Sequence, residues 1–250
     1  ARLLAPHPEP RMVELGISQG GSVALLALLA RPRKLVAVEL SADPVVALLD
    51  VLRDRGLADT VKPYFGVDQA DQPRLAQIVA DEFHGEPLDV VIDDASHLYH
   101  QTVASFEVLF PRLRPGGVYV IEDWTWFDLA ANAMSDVLGD ADSPLRPRML
   151  EMFNERVVAD GTAGRAPEPP LSRMAVELTL ARAASGDLVA DVSVDEHWIV
   201  VHRGPGEVDP VGFRMRHLYP DHYSLLNRPD HERPGPQEPG YSAVADRRPL

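Results

Sequence analysis

Between Arg11 and Asp123, short β-like runs alternate with helical ones, and this alternation constrains the fold more than any other feature of the chain. Met12-Val13-Glu14-Leu15, Leu35-Val36-Ala37-Val38, Val61 to Phe65, Leu88 to Ile92 and Val118 to Ile121 read as strands. The helical stretches are Val23 to Leu29, the amphipathic Pro44 to Arg55, Gln72 to Phe83, and Tyr99 to Leu113. The last of these is ended by Arg114-Pro115-Gly116-Gly117. Strands separated by a helix cannot pair as tight hairpins. They cross over, which gives right-handed βαβ units and a parallel sheet.

Beyond Asp123 the pattern changes. Asn132 to Asp160 is helical in composition but interrupted by Pro144 and Pro147, and Gly161 to Pro170 is a Gly/Pro-rich loop. Val176 to Ala181 and Trp198 to Val201 read as antiparallel strands added at the sheet edge. Pro and Gly recur from Pro205 onward, and Asn227 to Leu250 holds too few apolar residues for a core. Residues 1–204 are therefore expected to form one domain and 205–250 a Pro-rich C-terminal arm. Within that arm His217, Tyr219, His222 and Tyr223 make an aromatic, His-rich stretch.

Composition removes several function classes. With no cysteine there is no disulfide framework, thiolate zinc site or cysteine nucleophile, which fits a reducing cytoplasm. The net charge of −14 argues against a nucleic-acid partner, because phosphate-backbone binding needs a basic surface. The longest apolar run, Val23 to Ala30, is too short to span a bilayer, and the first residues do not read as a signal peptide, so no membrane partner is expected.

Two sets of residues carry chemistry. The first is the turn Glu14-Leu15-Gly16-Ile17-Ser18-Gln19-Gly20-Gly21-Ser22 between the first strand and its helix. Glycines there expose backbone N–H groups and let a ligand approach the main chain. Ser18 stands where a dinucleotide fingerprint has its second glycine, so the NAD pattern is not met. Glu39, at the end of the second strand, is placed to accept both hydroxyls of a ribose; the alternative is a solvated side chain beside a structural turn.

The second set lies at the ends of the fourth and fifth strands: Asp93-Asp94-Ala95-Ser96-His97 and Glu122-Asp123. Adjacent parallel strands bring Asp94, Glu122 and Asp123 together, and three unpaired carboxylates repel one another. A hard divalent cation such as Mg²⁺ removes that cost. His97, three residues past Asp94, is placed to act as a base beside it. Helix capping by Asp94 or Ser96 and a structural role for His97 stay open as alternatives. The His97–His100 spacing suggests zinc less than the surrounding oxygen ligands suggest Mg²⁺. Trp124 and Trp126 follow directly and either line a ligand pocket or pack their loop.

From Glu14 to Asp123, a little under half of the chain, the sequence resembles class I S-adenosylmethionine-dependent methyltransferases. More narrowly it resembles the macrocin and mycinamicin sugar O-methyltransferases and their relatives, the cephalosporin hydroxylases. The Glu-Leu-Gly-x-x-x-Gly-Gly-Ser turn, Asp-Asp-x-Ser-His and the Glu-Asp pair after Pro-Gly-Gly carry the likeness. It implies a Rossmann-like fold: a mostly parallel seven-stranded sheet with an antiparallel edge. It also implies S-adenosylmethionine as cofactor. Glu14, Gly16, Ser18, Gln19, Gly20 and Ser22 would hold its methionine part, Glu39 its ribose, and Asp68 would lie near its adenine, with Asp93 also among the contacts. Asp94, Glu122 and Asp123 would ligate Mg²⁺, His97 would be the general base, and Trp124 and Trp126 would line the acceptor pocket. The Glu122-Asp123 pair departs from the catechol-type branch, which pairs Asp with Asn there and uses a lysine that has no match in this chain.

The expected reaction is O-methylation of a sugar hydroxyl on a glycosylated natural product, a nucleotide sugar or a polysaccharide. The alternatives are a hydroxylase-like relative on the same fold and a non-catalytic cofactor-binding assembly module. A homo-oligomer is expected. So is a further N-terminal segment that helps cover the cofactor, because only thirteen residues precede Glu14.

Overall fold

The structure, a computed structural model, describes residues 7–125, 144, 147 and 169–219. Trp126, the stretch from Asn132 to Asp160 apart from its two prolines, most of the 161–170 loop, and His222 and Tyr223 lie outside the described residues. The elements run β1 (Arg11–Leu15), α1 (Gly21–Ala30), β2 (Lys34–Glu39), α2 (Val46–Asp54), β3 (Val61–Phe65), α3 (Gln72–Phe83), β4 (Leu88–Asp93), α4 (Tyr99–Leu109), β5 (Leu113–Glu122), α5 (Ser172–Ala184), β6 (Val189–Val194) and β7 (Trp198–Arg203).

They form one seven-stranded sheet in the order β3-β2-β1-β4-β5-β7-β6. β1 to β5 run parallel, and β7 pairs antiparallel with both β5 and β6. The chain winds outward from β1 through β2 to β3, then returns to place β4 on the other side of β1. That reversal opens a crevice at the carboxyl ends of β1 and β4, where open α/β sheets hold their ligands.

Strand parity decides which side chains reach which face. Val13, Leu15, Val91, Tyr119 and Ile121 pack with Leu75, Ile78, Phe106 and Leu109 of α3 and α4. Met12, Leu35, Ala37 and Val90 pack with Val23, Ala27, Leu48 and Leu52 of α1 and α2. α3 begins where Asp71 accepts a hydrogen bond from the Arg74 N–H, with Pro73 in the first turn, where its missing N–H costs nothing. Among the described residues no helix is long and apolar enough to cross a membrane.

Three differences from the sequence reading have physical causes. Val176 to Ala181 is not a strand; it lies within α5. The alternation Val-Glu-Leu-Thr-Leu imitates a strand, but Met174, Ala175, Leu178 and Ala181 are the buried set, at helical spacing. The edge strand is instead Val189–Val194, which pairs with β7. Pro205 to Tyr219, placed in the arm for its prolines and glycines, buries Phe213, Met215 and Leu218 in the larger core, and the first compact unit of the chain runs to Tyr219.

Candidate active site

Two loops meet at the crevice. The Gly16 N–H donates to Val38 O, and the Asp94 N–H donates to Leu15 O, both at 2.9 Å. These bonds stitch the ends of β1, β2 and β4 together. Gly16 has φ +92°, and a Cβ there would lie 2.2 Å from the Asp94 carbonyl oxygen. No other residue fits this position. Gly20 has φ +81°, and a Cβ on it would come within 2.7 Å of Leu48. Ser18 adopts φ +46° between them, and Ser18, Gln19 and Ser22 are exposed.

Glu39 holds the turn in shape. Its Oε2 accepts the Ile17 and Ser18 N–H groups at 2.9 Å each, and its Oε1 accepts the Ser41 N–H at 3.0 Å. Burial alone would raise its pKa, but these backbone donors, with Leu40, hold it below the ordinary value. The residue expected at the ribose is therefore also the residue that orders the glycine loop.

Glu14 shares its sheet face with Met12 and lies beneath that loop. It is 1% exposed, and its Oε2 has no hydrogen-bond partner. Burial pushes its pKa up to about 7; a hydrogen bond with Ser22 opposes the shift, and the charges of Glu122 and Asp94 add to it. A buried carboxyl oxygen without a donor is costly unless something cationic or protic approaches. The methionyl ammonium of a bound cofactor has that chemistry, so the turn fits such a group.

The acids of β4 and β5 gather beside it. Burial raises the pKa of Asp94, against the pull of His97 and with a push from Asp123. Burial also raises Glu122, and the charges of Asp94 and Asp123 add to the effect. His97 Nε2 lies 3.9 Å from Asp94 Oδ1. Both His97 and Asp123 have left-handed backbones, with φ +54° and +48°. The donor set is all hard oxygen plus imidazole, the chemistry that suits Mg²⁺. Yet among the described residues no three such side chains already stand close enough together to hold an ion. The three acids are thus electrostatic neighbours rather than a preformed cage.

One expected cofactor contact faces away from the crevice. Asp93 is 2% exposed and faces the opposite side of the sheet from Glu14. Its Oδ2 accepts Ser105 Oγ at 2.8 Å and Tyr119 OH at 2.9 Å, and burial lifts its pKa to about 6. Strand parity turns it inward, so it serves as the centre of a core network. Asp68 is exposed, and its Oδ1 accepts the Ala70 N–H at 2.8 Å.

Three residues that sequence reasoning missed touch the same region. Gln69 is buried and bonds both Asp93 and the Ser96 N–H. Glu177 on α5 accepts Tyr99 OH at 2.6 Å, two residues past His97. His197 sits at the β6–β7 turn with Nδ1 4.0 Å from Asp123 Oδ1. That turn is pinned by Trp124 Nε1 donating to Asp195 O and Thr125 Oγ1 donating to Glu196 O. The only sequence signal for Gln69 is that an amide stands beside the Asp68 singled out above. Glu177 was hidden by the false strand.

Comparison with known proteins agrees with this geometry. The family described as "Methyltransferase domain" matches residues 13–124. An 8-demethyl-8-alpha-L-rhamnosyl tetracenomycin-C 2'-O-methyltransferase from Streptomyces olivaceus is 43% identical over 74 residues, covering 24% of this chain and 20% of that protein. Demethylmacrocin O-methyltransferase from Streptomyces fradiae is 51% identical over 59 residues, 23% of this chain and 14% of the relative. The chain thus matches only a small part of these relatives' length. Among solved structures, MycE methyltransferase from the mycinamycin biosynthetic pathway, in complex with Mg and SAH, superposes with a TM-score of 0.51 at 21% identity. The match covers 83% of this chain and 50% of that one. The fold, the glycine turn and the matched segment converge on residues 13–124: this stretch, a little under half of the chain, matches the methyltransferase-domain family, and the solved structure shares its fold.

Proposed function

We propose that the protein moves the methyl group of S-adenosylmethionine to a sugar hydroxyl of a glycosylated natural product, with Mg²⁺ held by Asp94, Glu122 and Asp123. One observation carries the reading. The glycine turn packs directly on the Asp94 loop, so Glu14, with its unpartnered buried oxygen, shares one acidic neighbourhood with Asp94 and Glu122. That shared neighbourhood would serve a cationic cofactor and a divalent ion together. The relatives' names, a rhamnosyl tetracenomycin methyltransferase and a demethylmacrocin methyltransferase, support the acceptor class.

When bound, S-adenosylmethionine supplies an electrophilic methyl group, and Mg²⁺ supplies positive charge beside the acceptor oxygens. The chain's residues do the rest. Glu39 keeps the turn open by occupying its Ile17 and Ser18 N–H groups, and the same carboxylate would accept the ribose hydroxyls of a bound cofactor. His97 takes the acceptor proton at Nε2, and Asp94, 3.9 Å away, stabilises the imidazolium that results. Trp124, partly buried and fixed by its indole N–H, offers a face for the sugar. Holding both reactants at near-attack distance supplies much of the rate.

The test is a methyl-transfer assay over a panel of glycosides with mass spectrometry of the products, preceded by calorimetry with the cofactor. Binding of S-adenosylmethionine and Mg²⁺-dependent methylation of a sugar hydroxyl are the expected results. Absence of cofactor binding removes the methyltransferase reading and leaves a hydroxylase-like relative or an assembly module. Full turnover in EDTA removes the metal. His97→Ala should keep cofactor affinity and lose about 10²-fold or more in turnover.

A further inference from the structure

His97 carries its imidazole on a loop with a cost built into it. Its φ of +54° is in the left-handed region, which is strained for a non-glycine residue and persists only where neighbours hold it there. The loop between β4 and α4 is short, and its first N–H, that of Asp94, is fixed to Leu15 O. The second fixing point is Ser96, whose N–H donates to Gln69 Oε1 at 3.0 Å. Gln69 reaches it from the loop after β3 and is itself 6% exposed.

The other end of Gln69 is anchored in the core. Its Nε2 donates to Asp93 Oδ1 at 3.3 Å and to Ser105 Oγ at 3.3 Å. Asp93 is in register with Leu15 and Ile121 in the sheet and is held by Ser105 and Tyr119. The orientation of the amide is forced: the Ser96 N–H only donates and the Asp93 carboxylate only accepts, so oxygen faces Ser96 and nitrogen faces Asp93. A continuous path of hydrogen bonds thus runs from the middle of the sheet to the peptide that precedes His97.

We propose that Gln69 is a positioning residue for His97, transmitting the rigidity of the Asp93–Ser105–Tyr119 cluster to the loop through the Ser96 N–H. The proposal rests on His97 being the base for methyl transfer. Gln69 touches neither cofactor nor acceptor in this role. It keeps His97 in its left-handed conformation with Nε2 turned toward Asp94.

Two measurements test it, and the first needs no variant. Amide hydrogen exchange of the wild-type protein should show Ser96 protected to within about tenfold of Asp94, although Ser96 lies in a loop and Asp94 is tied to the sheet. A Ser96 amide that exchanges like an open loop overturns the proposal. The second is a double-mutant cycle. Gln69→Met keeps the volume but removes both polar ends. It should lower kcat about tenfold, leave the cofactor Kd within about twofold, and speed Ser96 exchange. In a His97→Ala background it should cost no further turnover, because groups that act as one unit are not additive. Equal losses in both backgrounds would make Gln69 a core filler and overturn the proposal. If His97→Ala alone leaves turnover intact, the assignment of the base has failed; the exchange data still decide whether Gln69 holds the loop.

Discussion

Asp89 and Asp94 stand five residues apart, at opposite ends of β4, and the protein treats them in opposite ways. Asp89 accepts the Arg11 N–H at 2.8 Å and the Arg114 guanidinium at 2.5 Å, and Arg114 in turn meets His7. Nearby at the same end of the sheet, Arg11 pairs with Glu86 and Lys34 with Glu82. Asp94 instead faces Glu122, Asp123 and Glu14, and among the described residues no Arg or Lys ion pair is recorded for any of the four. One end of the parallel sheet has its charges neutralised from within. The other gathers like charges with a histidine beside them and no Arg or Lys partner among the described residues, so a bound cation would relieve their repulsion further. The difference separates a stabilising end from the proposed working end on a single strand.

The largest effect should come from the joint between the two loops of the working end. Gly16→Ala must fit a Cβ against the Asp94 carbonyl and adopt φ +92°, so unfolding in urea should show a loss of about 3 kcal/mol or more, with cofactor binding abolished. A variant with wild-type stability would mean that the two loops do not abut.

The next effect has the opposite sign. The folded pKa of Glu14, about 7, lies above its ordinary 4.5, so the folded state holds the proton more tightly. Its contribution is full below about 4.5 and is lost as pH rises through about 7. Asp93, lifted from 3.8 to about 6, acts in the same direction in a lower window. Stability of the ligand-free protein should therefore fall from pH 5 to pH 8. Glu14→Gln should remove most of that fall, stabilising the protein at pH 8 by about 2–3 kcal/mol while weakening cofactor binding. A Glu14→Gln protein less stable than wild type at pH 8 would show that the carboxylate has a partner after all.

At the other end, Arg114→Met should cost about 1–2 kcal/mol by leaving Asp89 partly buried without its main partner, and cofactor affinity should not change. A change in affinity would blur the division between the ends. The smallest effect is ligand linkage. Mg²⁺ at ten times its Kd should stabilise the wild-type protein by about 1 kcal/mol in thermal unfolding, and Asp94→Asn should lose that gain. An equal gain in both proteins would place the ion elsewhere.

The β/α alternation and the glycine turn sufficed to anticipate five parallel strands and the crevice, because period and turn chemistry are local properties. Gly16, Glu39, Asp94 and Glu122 could be singled out because each lies at the end of a strand or one residue past it, and strand ends can be read directly. Asp93 was assigned to the cofactor because sequence adjacency hides parity: residues 93 and 94 look alike until the pleat sends one inward. Gln69 and Glu177 had no local signature. The partners of Gln69 lie 24 to 36 positions away and Tyr99 lies 78 from Glu177, so only the folded sheet brings them to the His97 loop. The misreading of α5 came from a short alternating stretch in which the helical spacing of Met174, Leu178 and Ala181 was the better guide.

The hairpin between β6 and β7 is fastened to the segment after β5 through its own main-chain carbonyls, Asp195 O and Glu196 O. Asp195 also shapes the tip from within, its Oδ1 accepting the His197 and Trp198 N–H groups. The side chain of Glu196 takes no part in either fastening, so that position is free to change while the tip keeps its place beside Asp123. A tether made of main-chain carbonyls lets one position vary without moving its neighbours.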